Sequence, residues 1–114
     1  MATDEALVER ILRAVEQVPP GRIVAYGDIA ALVGIGPRHV GNVLSRWGAG
    51  TTWWRVTNRN GELPPALLAE ALPHWRAEGI ALKDDASGCR IALHRADLDA
   101  LAADWARAVA DLPG

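Results

Sequence analysis

The chain has 114 residues, of which 50% are hydrophobic and 23% charged, and its formal net charge is −2. This length and composition indicate one globular domain with its own core, and they exclude disordered, collagen-like and low-complexity classes. No apolar run approaches the ~20 residues of a transmembrane helix, and the acidic start MATDEALVER fits neither a signal nor a transit peptide, so we expect a cytoplasmic protein without a membrane partner.

The first predicted elements are a helix and a short strand. Residues 4–18 repeat apolar side chains at helical spacing, with Thr3 as a candidate N-cap and acidic residues in the first turn. The sequence Pro19-Pro20-Gly21 ends this helix. RIVAY, residues 22–26, is then a short β-prone run.

A helix-turn-helix is predicted next, at about residues 27–47. GDIAALVG forms the first helix, GIGP the turn and PRHVGNVLSRW the second helix, which presents Arg38 and His39 at its start. Gly41 lies on the same face as Arg38, and a glycine inside a helix costs ~1 kcal/mol relative to alanine. Two explanations are open: the helix approaches another backbone closely, or it packs tightly against a helix of the protein itself.

The remaining chain predicts a loop, two helices and a hairpin. TTWWRVTNRNG places two tryptophans before an Asn/Gly turn, in a loop at about residues 51–62. A helix over 65–78 carries an apolar stripe of Leu68, Leu72 and Trp75 and is capped by Gly79. ALKDDASGCRIALHR, residues 81–95, reads as a hairpin with alternation from Ile91, and residues 96–112 form an amphipathic C-terminal helix.

Recognisable catalytic and metal-binding patterns are absent from the sequence. The lone Cys89 allows no intrachain disulfide, and the three histidines lack metal-ligand spacing with each other or with it. We therefore expect no catalytic residues, no metal and no cofactor. Charge is unevenly distributed: residues 20–61 hold five arginines against one acid, whereas residues 62–114 hold five basic residues against nine acids. This asymmetry favours a basic face on an acidic body.

Three segments in order resemble the DNA-binding domain of the O6-alkylguanine-DNA alkyltransferases. They are PPGRIVAYGDIAALVG, then PRHVGNVL, then TWWRVTNRNG. The resemblance covers roughly residues 5–62 and continues more loosely over 72–80. Aligned on Arg55-Val56, the alkyl-accepting Cys of that family falls on Trp53 and the following His on Trp54. Because tryptophan cannot accept an alkyl group by displacement, the chain resembles the non-enzymatic alkyltransferase-like branch.

This resemblance implies a fold and a mode of binding. The fold would be mainly α with short β elements, a single winged-helix-like domain carrying an additional C-terminal helix. The second helix of the helix-turn-helix would enter the minor groove of duplex DNA through Arg38, His39, Gly41 and Asn42. Arg38 would fill the gap left by a flipped nucleotide, and Tyr26 would press on the flanking phosphate.

The resemblance also implies a lesion pocket and partners. An extruded O6-alkylguanine would lie beside Trp53, with Trp54 and Arg55 in the same pocket; Trp54 could be a wall instead of a contact, and Arg55 a brace for the loop. We expect a monomer that marks the lesion for nucleotide excision repair proteins, and that is nucleoid-associated if bacterial. Two other functions are open: an alkyltransferase acting through Cys89, and a helix-turn-helix transcription regulator.

Overall fold

Helices dominate the computed structural model, which describes residues 4–113. In chain order the elements are α1 (Glu5–Glu16), β1 (Val24–Ala25), α2 (Tyr26–Val33), α3 (Pro37–Trp47), a 3₁₀ turn (Trp53–Arg55), β2 (Val56–Thr57), α4 (Pro65–Ala77), α5 (Ile91–His94) and α6 (Leu98–Ala108). The predicted fold class, mainly α with short strands, is confirmed. Within the described residues no helix is long and apolar enough to cross a membrane.

Helix α1 begins where a side chain satisfies its first free N–H groups. Asp4 is the N-cap, and its carboxylate accepts a 3.0 Å hydrogen bond from the backbone N–H of Leu7. The predicted cap, Thr3, lies outside the described residues. Ile11, Ala14 and Val15 face inward and are buried, as the helical spacing of apolar residues predicts.

Helices α2 and α3 form the predicted helix-turn-helix. The turn between them requires a left-handed residue, which Gly34 supplies at φ 89°. Pro37 occupies the first turn of α3, where its missing N–H leaves no hydrogen bond unmade. Val40 and Val43 anchor α3 in the core and are 0% and 3% exposed.

The two strands pair in parallel, with Val24 opposite Val56 and Ala25 opposite Thr57. They connect the helix-turn-helix to the loop that carries the tryptophans. Buried side chains form two clusters: a helical core from α1, α2, α3 and α6, and a second core around Trp75. Tyr26, which follows β1, and Trp53 and Trp54, which precede β2, all pack against the second core.

The hairpin prediction is correct for residues 81–90 and wrong from Ile91 onward. Leu82 and Cys89 form an antiparallel bridge, but residues 91–94 are one helical turn, α5. Ile91 alone enters the second core, while Leu93 is 64% exposed. His94 Nε2 accepts a 2.9 Å hydrogen bond from the N–H of Ala81, and its carbonyl accepts from Ile23. These long-range contacts fix a helical turn in a stretch too short for periodicity to decide.

The C-terminal helix α6 packs against α1. Trp105 Nε1 donates to the carbonyl of Arg10 at 2.9 Å, and the guanidinium of Arg13 donates to the carbonyl of Ala108 at 2.8 Å. Leu101, on the inner side of α6, is buried, whereas Leu98 at the start of the helix is 41% exposed. Helix α6 thus extends the helical core without contributing residues to the second one.

Candidate nucleic-acid interface

The outer face of α3 carries polar side chains free of the core. Because Val40 and Val43 point inward, the helical spacing turns Arg38, His39 and Asn42 outward, and all three are exposed. The arrangement gives a cationic, hydrogen-bonding surface along the first half of the second helix of a helix-turn-helix.

Gly41 keeps a gap in the same helix. A Cβ built at this position would meet nothing within 4 Å. Tight packing against another helix of the protein, one of the two explanations open from the sequence, is therefore wrong. The other explanation stays open. Next to Arg38 and Asn42, the surface of α3 lacks a side chain at Gly41, so a partner has room to approach the helix backbone.

A pocket of about 320 Å³ opens beside Gly41. Helix α3, the turn after it, the 3₁₀ turn and the start of α4 enclose it. Its lining residues are Tyr26, Gly41, Leu44, Ser45, Gly48, Ala49, Trp53, Leu67 and Glu70. Its volume lies within the range of small-molecule sites, and its mostly apolar wall suits a flat aromatic ligand.

Tyr26 stands between this pocket and a neighbouring one. The second pocket, about 340 Å³, is lined by Tyr26 together with residues 25, 27, 28, 37, 58, 59 and 95. Burial raises the pKa of the Tyr26 phenol, so the hydroxyl is protonated at neutral pH and can donate a hydrogen bond. Arg59, Arg95 and Asp28 also line the second pocket. Arg95 pairs with Asp28 at 2.9 Å, so Arg59 supplies the net positive charge on that side of Tyr26.

Trp53 and Trp54 have different surroundings. Trp53 lines the first pocket and meets Trp54 edge to face, with ring centroids 5.9 Å apart. Trp54 stacks on the ring of His74 at 3.6 Å and 8°. Its Nε1 donates to Glu78 at 2.7 Å, and its carbonyl accepts from Trp75 at 2.7 Å. Trp54 is thus fixed by contacts with His74, Trp75 and Glu78, and it supports Trp53.

Arg55 is a brace beneath the tryptophans. The residue is 9% exposed. Its guanidinium donates to Glu78 from Nε at 3.0 Å and from Nη2 at 2.8 Å. Nη1 donates to the carbonyl of Val18 at 3.0 Å. The N–H of Gly21 also donates to Glu78, at 2.8 Å. This network joins the end of α1, the 3₁₀ turn and the end of α4.

The same network sets the ionisation of Glu78. Burial opposes the charged form and raises its pKa, but hydrogen bonds from Arg55, the Gly21 N–H and Trp54 outweigh that, so the pKa of Glu78 lies below its ordinary value. Glu78 is therefore a carboxylate at neutral pH, and it neutralises Arg55 inside the protein.

Close backbone packing fixes the loop after β2. The side chain of Asn58 accepts from the N–H groups of Asn60 and Glu62, at 2.9 and 2.8 Å. Gly61 has φ 78°, and a Cβ there would lie 2.2 Å from the carbonyl oxygen of Cys89. Only glycine fits this position, and Arg59 is left exposed at the tip of the loop.

Cys89 belongs to the second core. Its side chain is 0% exposed, and burial raises the pKa of the thiol to about 11. A thiol with this pKa is almost wholly protonated at neutral pH and is a poor nucleophile. Across residues 4–113 no group of three or more His, Cys, Asp or Glu side chains is placed to hold a metal ion.

The structure gathers some of the predicted site residues and separates others. Tyr26, Gly41 and Trp53 line one pocket; Arg38, His39 and Asn42 lie on the exposed face of α3; Trp54 and Arg55 line neither pocket. Four residues of the site were not predicted from the sequence: Leu67 and Glu70, which line the pocket, and His74 and Glu78, which support the tryptophans. The spacing of Leu67 and Glu70, one helical turn apart beside the stripe of Leu68 and Leu72, is the only signal that could have indicated the first two.

Comparison with known proteins gives a consistent result. Residues 6–86 match the sequence model of the 6-O-methylguanine DNA methyltransferase, DNA binding domain. A DNA base-flipping protein of Escherichia coli strain K12 is 37% identical over 86 residues, covering 63% of this chain and 67% of that protein. A DNA base-flipping protein of Vibrio parahaemolyticus is 36% identical over 64 residues, covering 53% of this chain and 63% of that protein.

A solved structure shares the fold. The chain aligns with S. pombe Atl1 in complex with damaged DNA containing O6-carboxymethylguanine, with a TM-score of 0.71 at 24% sequence identity. The alignment covers 85% of this chain and 99% of that one.

Proposed function

Because the chain belongs to the family of the 6-O-methylguanine DNA methyltransferase DNA-binding domain, in its alkyltransferase-like branch, we propose that it binds O6-alkylguanine in duplex DNA and flips the damaged nucleotide without repairing it. Helix α3 enters the minor groove, and the flipped base occupies the pocket beside Trp53. The observation that carries this proposal is that Tyr26, Gly41 and Trp53, from three separate segments, line one pocket.

The residues around that pocket match the steps of base flipping. An extruded base loses stacking on both sides, at a cost of a few kcal/mol. The exposed guanidinium of Arg38 is planar and can stack in the vacated position while donating to the orphaned cytosine. Stacking of the purine beside Trp53 contributes about 1–3 kcal/mol. Tyr26 contacts the flanking phosphate, and Gly41 lets α3 approach the minor groove, with His39 and Asn42 contacting the strands.

We expect no alkyl transfer to the protein, because neither Trp53 nor Cys89 can act as the alkyl acceptor. The motif resemblance implies that Trp53 stands where active relatives have the alkyl-accepting Cys, and an indole has no thiolate. Cys89 is buried in the second core, with a thiol pKa of about 11. An O6-methylguanine duplex with a labelled methyl group should therefore leave no label on the protein. Labelling that disappears in Cys89→Ala would identify an enzyme.

The proposal is tested by binding to matched duplexes. We expect the protein to bind a duplex with one O6-methylguanine more tightly than the same duplex with guanine, measured by anisotropy of the labelled DNA and by tryptophan fluorescence. Trp53→Ala should lose most of this preference. Trp47→Phe, which changes an exposed tryptophan outside the pocket, is the control. A preference below about threefold in the wild-type protein would overturn lesion recognition.

The proteins that act after lesion recognition are proposed by analogy with the alkyltransferase-like branch of the family. A protein that marks a lesion without repairing it needs a partner that removes the lesion, and we propose nucleotide excision repair proteins. We also propose that the protein is a monomer, that it is cytoplasmic, and that it associates with the nucleoid if the source is a bacterium. Excision of an O6-methylguanine duplex by purified excision repair proteins should increase when this protein is added, and equal excision would contradict the link.

A further inference from the structure

Of the described residues, those that line the pocket beside Trp53 include one acidic side chain and no basic one. Among the described residues that line it, Glu70 is the one ionisable side chain that is charged at neutral pH. The other polar side chains there are the hydroxyls of Tyr26 and Ser45. The rest of the wall consists of apolar side chains and glycines, so Glu70 carries the one formal charge among these lining residues.

Within the part of the chain that the structure describes, no cation lines the pocket, and none pairs with this carboxylate. No ion pair or hydrogen bond found across residues 4–113 involves the Glu70 side chain. The sequence contains no Lys or Arg between Arg59 and Arg76. Arg55, the buried arginine below the tryptophans, does not line the pocket and is already neutralised by Glu78 at 2.8 Å.

From this arrangement we infer that the pocket selects uncharged O6 substituents and discriminates against O6 adducts that carry a carboxylate, with Glu70 as the specificity-determining residue. The inference rests on the proposed function, because it assigns the chemical class of the base that the pocket admits. A carboxylate on the adduct would lie in the same pocket as the Glu70 carboxylate, and like charges there repel. Because Glu70 is exposed, solvent and salt screen this repulsion and limit it to a moderate effect.

The test compares two adducts that differ in charge but hardly in size. Four otherwise identical duplexes carry guanine, O6-methylguanine, O6-carboxymethylguanine, and the neutral amide of the carboxymethyl adduct. The wild-type protein should bind the amide adduct about fivefold more tightly than the carboxymethyl adduct at low salt, and the ratio should shrink as salt rises. Glu70→Gln should bring the ratio to within about twofold.

Glu16→Gln is the matched control variant. It removes the same charge from an exposed position at the end of α1, outside the pocket lining, and should keep the wild-type ratio. Equal binding of the amide and carboxymethyl adducts by the wild-type protein, or an unchanged ratio in Glu70→Gln, would overturn the inference. Failure to distinguish O6-methylguanine from guanine would instead overturn the proposed function, so the two failures are separate.

Discussion

Arg38 and Arg55 belong to the same basic segment but serve different purposes. Arg38 is exposed on the first turn of α3, with its guanidinium free to meet a ligand, whereas Arg55 is 9% exposed and holds Glu78 and the carbonyl of Val18. A planar guanidinium suits both positions, because it stacks and donates several parallel hydrogen bonds. Burial therefore separates a residue that can bind DNA from one that stabilises the fold.

Removal of the Arg38 side chain should weaken lesion binding without weakening the fold. Arg38→Ala loses one DNA contact, which corresponds to about 1–3 kcal/mol of binding free energy to the O6-methylguanine duplex. Its free energy of unfolding should change by less than about 0.5 kcal/mol, since the side chain is on the surface. Titration of labelled duplex and urea unfolding measure the two quantities. An unchanged affinity would refute the insertion of Arg38 into the duplex.

At the residue scale, the sequence predicted which side chains face inward or outward where a local pattern identified them. Val40 and Val43 mark the inner face of α3, so the outward position of Arg38 and Asn42 follows from helical spacing alone. The roles of Glu78 and His74 could not be predicted, because each meets its partner more than 19 residues away in the sequence. The missing packing partner of Gly41 was likewise undecidable, since a glycine fits both a crowded helix and an open one.

At the scale of the elements, one ion-paired network determines where the tryptophans stand. Glu78 follows α4 and accepts hydrogen bonds from Gly21, Trp54 and Arg55, so it joins the turn after α1 to the 3₁₀ turn. Both members of the Arg55–Glu78 pair are nearly buried, with side chains 11% and 12% exposed. The loop carrying Trp53 is therefore held from below by charge-assisted hydrogen bonds, which are stronger than neutral ones.

Loss of the Glu78 charge should destabilise the protein and change its response to pH. Glu78→Gln leaves the buried Arg55 without an anionic partner, and we expect a loss of about 2–3 kcal/mol in the free energy of unfolding at pH 7. The folded-state pKa of Glu78 is lowered, so its stabilising contribution is complete above its unfolded pKa of about 4.3 and disappears as the pH falls through the lower folded value.

Urea unfolding followed by tryptophan fluorescence at pH 7 and at pH 3 measures this effect. The wild-type protein should lose more stability between the two pH values than Glu78→Gln. Asp85 and Asp111 also have lowered pKa values, but they titrate in both proteins and cancel in the comparison. A difference between the proteins that is the same at both pH values would contradict a stabilising role for the charge.

Hydrophobic periodicity predicted the boundaries of a long helix well and those of a short one poorly. Helix α4 was predicted over 65–78 and is observed over Pro65–Ala77, with Gly79 left-handed at φ 72° just beyond its end. Its thirteen residues give the apolar stripe enough repeats to be recognised. Helix α5 has four residues, and the alternation from Ile91 fits a strand equally well. Its conformation is fixed by contacts to Ile23 and Ala81, which a local pattern does not contain.

At the scale of the whole molecule, charge is unevenly distributed along the chain. The net charge of −2 conceals a local +4 over residues 20–61, the segment that contains α2, α3 and the tryptophan loop. Helix α6 lies beyond the residues matched by the family and packs on α1. Binding to a polyanion depends on this local distribution of charge and not on its sum.

The salt dependence of DNA binding should show whether the basic segment, residues 20–61, contacts the DNA phosphates. Arg59 is exposed at the tip of the loop and lines the pocket next to Tyr26, where it can neutralise one phosphate. Arg59→Ala should therefore reduce the slope of log K against log salt by about 0.9, the value for one phosphate contact, and weaken binding to both the guanine and the O6-methylguanine duplex. The ratio between the two duplexes should stay the same, because phosphates do not report the lesion.

Arg107→Ala provides the comparison across the molecule. Arg107 lies on α6 and pairs with Asp104, so its loss changes the net charge by the same amount at a position outside the basic segment. Its salt slope should equal that of the wild-type protein. If both variants reduced the slope equally, net charge and not a basic face would govern binding. If neither did, Arg59 would contact no phosphate, and the cationic pocket beside Tyr26 would have no part in holding DNA.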